Sequence, residues 1–209
     1  MLTLIELKHT GPEQFLARFD NGEEIRTTLS VVADLDLYSG KSFTPEAFDS
    51  VKMASGLSKC KQRALRIIGA RPMSSKELLD RLKEKGEMPE NAEQTVQWLT
   101  DLRLLNDADY AAMCVRHYAA KGYGPGKIRN EFYRRGIPKD LWDEALLAMP
   151  EQDDQIDRLL RKKLHSPASG RDELRKAADY LYRRGFHRDE IQAAIQRYCD
   201  ESEVDSYGI

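Results

Sequence analysis

The sequence predicts a mainly α fold: three tandem three-helix repeats in an elongated curved array, preceded by a small α+β unit with a β-hairpin or three-stranded sheet. Two observations carry this. Helical face spacings recur about every 50 residues around a basic-Gly pair, and the first 30 residues instead alternate apolar and polar side chains about a tight-turn signal. A third observation, 41% hydrophobic residues in 209, shows there is enough apolar material for a core.

Phe15, Ala17 and Phe19 alternate with Leu16 and Arg18, Asp20-Asn21-Gly22 tolerates the positive φ of a hairpin turn, and Ile25, Thr27 and Leu29 alternate again. With Leu2 to Leu7 this makes about three short strands. Val31, Val32, Leu35 and Leu37 suit a short helix that Gly40 stops, and Thr44-Pro45-Glu46 opens another with a cap and a first-turn proline. The α+β unit is placed at 1–56, the repeats at 57–106, 107–150 and 151–200, and an acidic tail at 201–209.

The repeats align on Lys85-Gly86, Arg135-Gly136 and Arg184-Gly185. Eight residues before each glycine stand Leu78, Ile128 and Ala177, and four before it Leu82, Phe132 and Leu181. Six after it come Ala92, Trp142 and Ile191, then at ten Val96, Leu146 and Ile195, and at thirteen Leu99, Met149 and Tyr198. Steps of four, and of four then three, keep side chains on one helix face, so each unit has a helix ending at the glycine and another beginning just beyond it. The glycine is the left-handed stop between them. A third helix precedes each pair, near 57–69, 107–121 and 153–164. Ser74 with Glu77 and Ser169 with Asp172 fit capping spacings, and Pro138 sits where a first-turn proline belongs.

Composition and motifs exclude several function classes. Lys and Arg total 33 against 35 Asp and Glu, a net charge of −2, so the chain is not a polycation of the histone kind. No run reaches the ~18 apolar residues of a membrane span, and the N-terminus lacks the basic start and apolar core of a signal peptide, so a soluble cytoplasmic protein is expected. Cys60, Cys114 and Cys199 form no CxxC and are expected as free thiols; His9, His117, His165 and His187 have no metal-ligand spacing. Gly122-Tyr123-Gly124-Pro125-Gly126-Lys127 resembles a phosphate loop, but Lys121 and Ile128 stand where a Walker A needs Gly and Ser or Thr, and Pro125 lacks an N–H. A Gly/Pro turn before a helix is the simpler reading. Asp107 and Asp109 could act as paired carboxylates, yet acid just after Asn106 is what a helix N-terminus favours. No nucleophile elbow or dinucleotide fingerprint is present, and the expectation is a non-enzyme without cofactor or metal, acting as a monomer.

Charge is segregated along the chain. Residues 1–56 carry 5 basic and 9 acidic side chains, residues 57–120 carry 11 and 9, residues 121–200 carry 17 and 14, and the last nine only three acids. Cations cluster at Lys127, Arg129, Arg134 and Arg135; at Arg158, Arg161, Lys162 and Lys163; and at Arg171, Arg175, Lys176, Arg183, Arg184 and Arg188, with Tyr133, Tyr180 and Tyr182 interleaved. Rows of cations with aromatics suit phosphate contact and stacking. The plainer alternative is that Lys85, Arg135 and Arg184 favour the negative end of a helix dipole, that the tyrosines cover a neighbouring helix, and that Asp153, Asp154 and Asp157 neutralise the run behind them.

The stretches Arg71-Pro72-Met73-Ser74-Ser75-Lys76-Glu77-Leu78, Leu82, Lys85-Gly86, Leu102, Leu104-Leu105-Asn106-Asp107 with Tyr110-Ala111, Gly124-Pro125-Gly126-Lys127-Ile128 and Arg135-Gly136-Ile137 together resemble the RecX family of bacterial regulatory proteins. The resemblance spans about residues 58–200, and the N-terminal strand unit looks like an extension some members carry. Asn106-Asp107 replaces the usual Asp-Asp and preserves capping. The resemblance implies a non-enzymatic regulator that lies in the groove of the RecA recombinase filament and restrains strand exchange, ATP turnover and filament growth. Roles in homologous recombination, DNA repair and the SOS response follow, with some affinity for DNA. The candidate filament- or DNA-binding residues are Lys127, Arg129, Arg134, Arg135, Arg161, Lys162, Lys163, Arg175, Lys176, Arg183 and Arg184. The alternatives are a general DNA-binding helical-repeat protein without a recombinase partner, a protein-only scaffold, or an unrecognised hydrolase.

Overall fold

The computed structural model describes residues 1–151, 153–164 and 170–207, in two compact units, residues 1–105 and 106–209. In the first unit the alternating N-terminal pattern forms an antiparallel sheet. Its strands are β1 (Leu2–Gly11), β2 (Gln14–Phe19), β3 (Glu24–Thr28) and β4 (Ser42–Phe43), in the order β3-β2-β1-β4. The fourth strand was not expected from the sequence. It is two residues long and too short to show alternation, existing because Leu2 and Thr3 pair with Phe43 and Ser42. Leu29, expected as the last alternating strand residue, instead begins helix α1 (Leu29–Asp34) and is half exposed. The inner face buries Leu4, Ala17, Phe19 and Phe43, with Phe19 edge-on to Phe43 and to Phe48 at 5.9 and 4.7 Å. An edge-on aromatic pair adds to its area burial through the ring quadrupoles.

Helix α2 (Pro45–Ala70) opens as its sequence dictates, the Thr44 hydroxyl accepting from the Ala47 N–H at 3.2 Å with Pro45 in the first turn. It does not stop at residue 56. The boundary expected there falls inside one continuous helix, because its apolar face serves two cores in succession. Phe48 and Val51 pack on the sheet, while Cys60 and Ala64 pack against α3 (Ser75–Glu84) and α4 (Pro89–Asp101). Gly56 faces α4 within α2, where a Cβ would lie 2.9 Å from Asn91 Nδ2. Buried Ser55 donates to Thr27 Oγ1 at 2.8 Å and fastens α2 to β3.

The second unit holds two further bundles. One is α5 (Asp107–Ala120), α6 (Pro125–Arg134), a 3-10 turn (Lys139–Leu141) and α7 (Trp142–Leu146); the other is α8 (Asp153–Lys163), α9 (Arg171–Arg183) and α10 (Arg188–Tyr207). The aligned positions behave as the register requires. Leu78, Ile128 and Ala177 are buried, as are Leu82, Phe132 and Leu181, in three separate clusters. Asn106 accepts from the N–H groups of Ala108 and Asp109 at 3.0 and 3.3 Å, so Asp107 and Asp109 mark a capped helix start. Gly170 caps α9; Ser169, expected in that role, and His165 lie outside the described residues. Backbone expected as a tail continues α10 to Tyr207. Cys60, Cys114 and Cys199 are free thiols, the first two buried.

Candidate binding surface

Gly86, Gly136 and Gly185 adopt φ of +80°, +63° and +90°, and the preceding basic residue caps its helix in each case. The three cations nevertheless do different things. Lys85 is exposed, and its carbonyl accepts from Arg63 Nη1 at 2.9 Å. Arg135 turns inward: its guanidinium donates to the phenol oxygens of Tyr110 and Tyr118, the latter at 3.1 Å, and lies 3.7 Å from Glu131. Burial alone would lower the Arg135 pKa, but the Tyr118 hydrogen bond and the fields of both phenols outweigh it and hold the cation firmly charged. Glu131 is likewise opposed by burial, yet hydrogen bonds from Arg134 and Tyr118 and the charges of Arg134 and Arg135 keep its carboxyl below the usual range.

Arg184 is a clamp between bundles of the second unit. Nη1 donates to the carbonyls of Lys121 and Gly122 at 2.8 and 3.0 Å, and the guanidinium stacks on Tyr123 and Tyr180 at 5.2 and 4.9 Å. The backbone around it interlocks with the turn once compared to a phosphate loop. Gly124 N–H donates to Arg184 O and Gly126 N–H to Gly185 O, both at 2.9 Å. A Cβ on Gly124 would come 2.6 Å from Gly185 O, and one on Gly185 would come 2.2 Å from Lys127 N. The glycines of Gly122-Tyr123-Gly124-Pro125-Gly126 thus receive another stretch of this chain, with backbone against backbone. Sequence reasoning saw only a turn here. The signal was the coincidence of Gly-Pro-Gly with a second glycine-terminated helix, which no local spacing relates.

The predicted cations therefore divide. Arg135 and Arg184 make structural contacts, their guanidiniums held by phenols and carbonyls inside the second unit. Arg129 pairs with Asp143 at 2.7 Å, tying α6 to α7, and Arg134 pairs with Glu131 at 2.6 Å. Lys127 is half-buried beside Gly185. Three candidates do come together: Lys163 of α8 with Lys176 and Arg183 of α9 line a depression of about 390 Å³ floored by Ala177 and Tyr180, Glu173 being its one acid among the described residues. Lys163 sits over the Tyr180 ring at 4.5 Å. Arg175 and Lys162 are exposed on the same two helices, whereas Arg161 borders a crevice with Asp157, Arg197 and Tyr198 toward α10.

Two of the three acids expected to neutralise this run are engaged elsewhere, since Asp157 and Asp153 face Arg197 of α10 at 2.9 and 3.5 Å. That leaves Lys162, Lys163, Arg175, Lys176 and Arg183 without an ion pair among the described residues. Tyr133 and Tyr182 cover no neighbouring helix, being 75% and 69% exposed. The cations that line this depression without an ion pair can hold polyanions or an acidic protein face.

Three family models match in tandem: the first three-helix domain of RecX at residues 60–99, the second at 106–146 and the third at 151–195. The chain belongs to the RecX family. Each RecX domain coincides with one of the three hydrophobic clusters described above, and the N-terminal sheet lies outside them. Among its relatives, regulatory protein RecX of Bacillus subtilis is 27% identical over 98% of this chain and 80% of its own length. Regulatory protein RecX of Xanthomonas citri is 36% identical over 65% of this chain and 85% of its own. A crystal structure of regulatory protein RecX superposes with a TM-score of 0.77 at 20% identity, covering 94% of this chain and all of that one, which is a likeness of fold. Among the described residues no helix of this RecX chain is long and apolar enough to cross a membrane.

Proposed function

We propose that this RecX-family chain is a non-enzymatic regulator of the RecA recombinase. It binds the RecA filament and restrains strand exchange, ATP hydrolysis and filament growth, and so tunes DNA repair, homologous recombination and the SOS response. It acts in the cytoplasm as a monomer without a cofactor. Family membership supports the partner, and the observation that carries the binding surface is the Lys163, Lys176 and Arg183 face, with Tyr180 beneath Lys163. On this reading tandem bundles offer repeated contacts to successive protomers, and the α8 and α9 cations meet acidic protein patches or DNA phosphates within the filament. Occupancy there would hinder subunit addition or entry of a second DNA.

The test is binding to RecA-coated single-stranded DNA while following ATP hydrolysis, with naked DNA and free RecA as controls. Preferential filament binding with falling hydrolysis is expected. The folded triple variant Lys163→Glu, Lys176→Glu, Arg183→Glu should bind the filament at least tenfold more weakly, since each close charge contact contributes about 1 kcal/mol or more. Binding to naked DNA alone, with hydrolysis unaffected, would instead favour a general DNA-binding helical-repeat protein.

A further inference from the structure

A second basic surface lies on the first unit. On α2, Lys59, Arg63 and Arg66 recur at intervals of four and three residues, so they share one face and step along it by about 6 and 4.5 Å. Two depressions adjoin at this face and share Arg63 and Arg66. One, of about 420 Å³, lies between α2 and the β2–β3 face and adds Arg26; the other, of about 530 Å³, runs to the end of α3 and adds Arg81 and Lys85. No acidic side chain lines either depression among the described residues. Arg63 is anchored by Glu87 at 2.7 Å and by the Lys85 carbonyl, which fixes its place in the wall. Arg26, Lys59, Arg66, Arg81 and Lys85 make no ion pair among the described residues.

We infer that this groove binds a single strand of nucleic acid. A lone cation would suit any anion, but a row of them, a turn apart along one wall and continued by Arg81 and Lys85, matches a polymer with a charge on every unit. The side-chain amides of Gln14 and Gln62 add neutral donors of the kind that bind phosphate and sugar oxygens. At one end Phe15, held edge-on by His9 at 5.1 Å, presents a ring to the groove on which a base can stack. An acidic peptide would use the cations but has no use for that ring. A duplex displays its phosphates on a convex surface, whereas these recesses fit one strand.

The test measures anisotropy of a labelled oligo(dT) with the full-length chain over a range of salt. Lys59→Glu with Arg66→Glu should weaken binding at least tenfold and lower the slope of log affinity against log salt by about 1.4, at about 0.7 per phosphate contact on a single strand. Phe15→Leu, which keeps the apolar contact, should weaken binding about fivefold or more with the slope unchanged. Lys163→Glu with Lys176→Glu should leave most of the oligo(dT) affinity in place. Circular dichroism checks folding, and Lys59→Gln with Arg66→Gln replaces the reversal if that variant misfolds. Unchanged affinity and slope in folded Lys59/Arg66 variants would overturn the assignment. So would equal competition by poly-glutamate with Phe15→Leu silent, which would reassign the groove to an acidic protein segment.

Discussion

Replacing Gly185 by alanine should destabilise the second unit far more than the matching change at Gly86 destabilises the first. Both glycines have left-handed φ, +90° and +80°, and an L side chain there costs about 1 kcal/mol. At Gly86 nothing lies within 4 Å of the added Cβ, so that cost is the whole effect. At Gly185 the Cβ would lie 2.2 Å from the Lys127 nitrogen and must drive the two backbones apart. The hydrogen bonds from Gly124 to Arg184 and from Gly126 to Gly185 are then lost, at about 1 kcal/mol each, and the Arg184 clamp loosens. The sum is about 3–4 kcal/mol, or a fall of about 1.5–2 M in the urea midpoint for a slope near 2 kcal/mol/M. The two tryptophans serve as reporters, Trp98 in α4 for the first unit and Trp142 in α7 for the second. Gly124→Ala separates the contributions: its φ is −82°, so its expected loss of about 2–3 kcal/mol comes from the clash and the broken hydrogen bonds alone. Equal midpoint shifts for Gly185→Ala and Gly86→Ala would refute the interlock.

Three further outcomes are expected. Glu131 is held below its ordinary pKa when folded, so its contribution is present above the unfolded value and is lost as pH falls through the folded one; Glu131→Gln should therefore flatten the decline in stability below about pH 4, read from urea midpoints against pH. Burial pushes the Cys60 thiol up, so a thiol reagent at pH 8 should modify half-buried Cys199 first and reach Cys60 only with unfolding, as peptide mapping of the adducts would report. Ser74→Ala removes the acceptor for the Glu77 N–H at a fully buried cap and should cost about 1–2 kcal/mol in chemical denaturation.

Helices and their register were legible because each rests on local physics. The four-residue steps from Leu78 to Leu82 and from Ile128 to Phe132, with a glycine beyond, encode a buried face and a stop within a dozen residues. The surface was less legible. Arg135 and Lys163 look alike in sequence, and only the fold decides that one donates to Tyr110 and Tyr118 while the other lies over the Tyr180 ring in the wall of an open depression. Likewise Asp153 and Asp157 stood at the right spacing to neutralise their own helix, yet Arg197, 40 residues on from Asp157, holds them. The Gly124–Gly185 contact and the groove of the first unit depend on which backbones approach, and periodicity says nothing of that. The boundary placed at residue 56 has a related cause: one helix serves two cores, and only the packing shows it.

Continuity of α2 makes the N-terminal sheet an integral part of the first unit. A helix of 26 residues is about 39 Å of rigid rod, and here its two halves are gripped by different cores. A protease cut or truncation at the apparent seam near residue 56 would split that rod, removing the Thr44-Pro45 start and baring the stump of its remaining half. The sheet and the first bundle should consequently melt in a single transition and exchange their amide hydrogens as one cooperative block. Trimming the chain to its three matched repeats would then weaken the first of them.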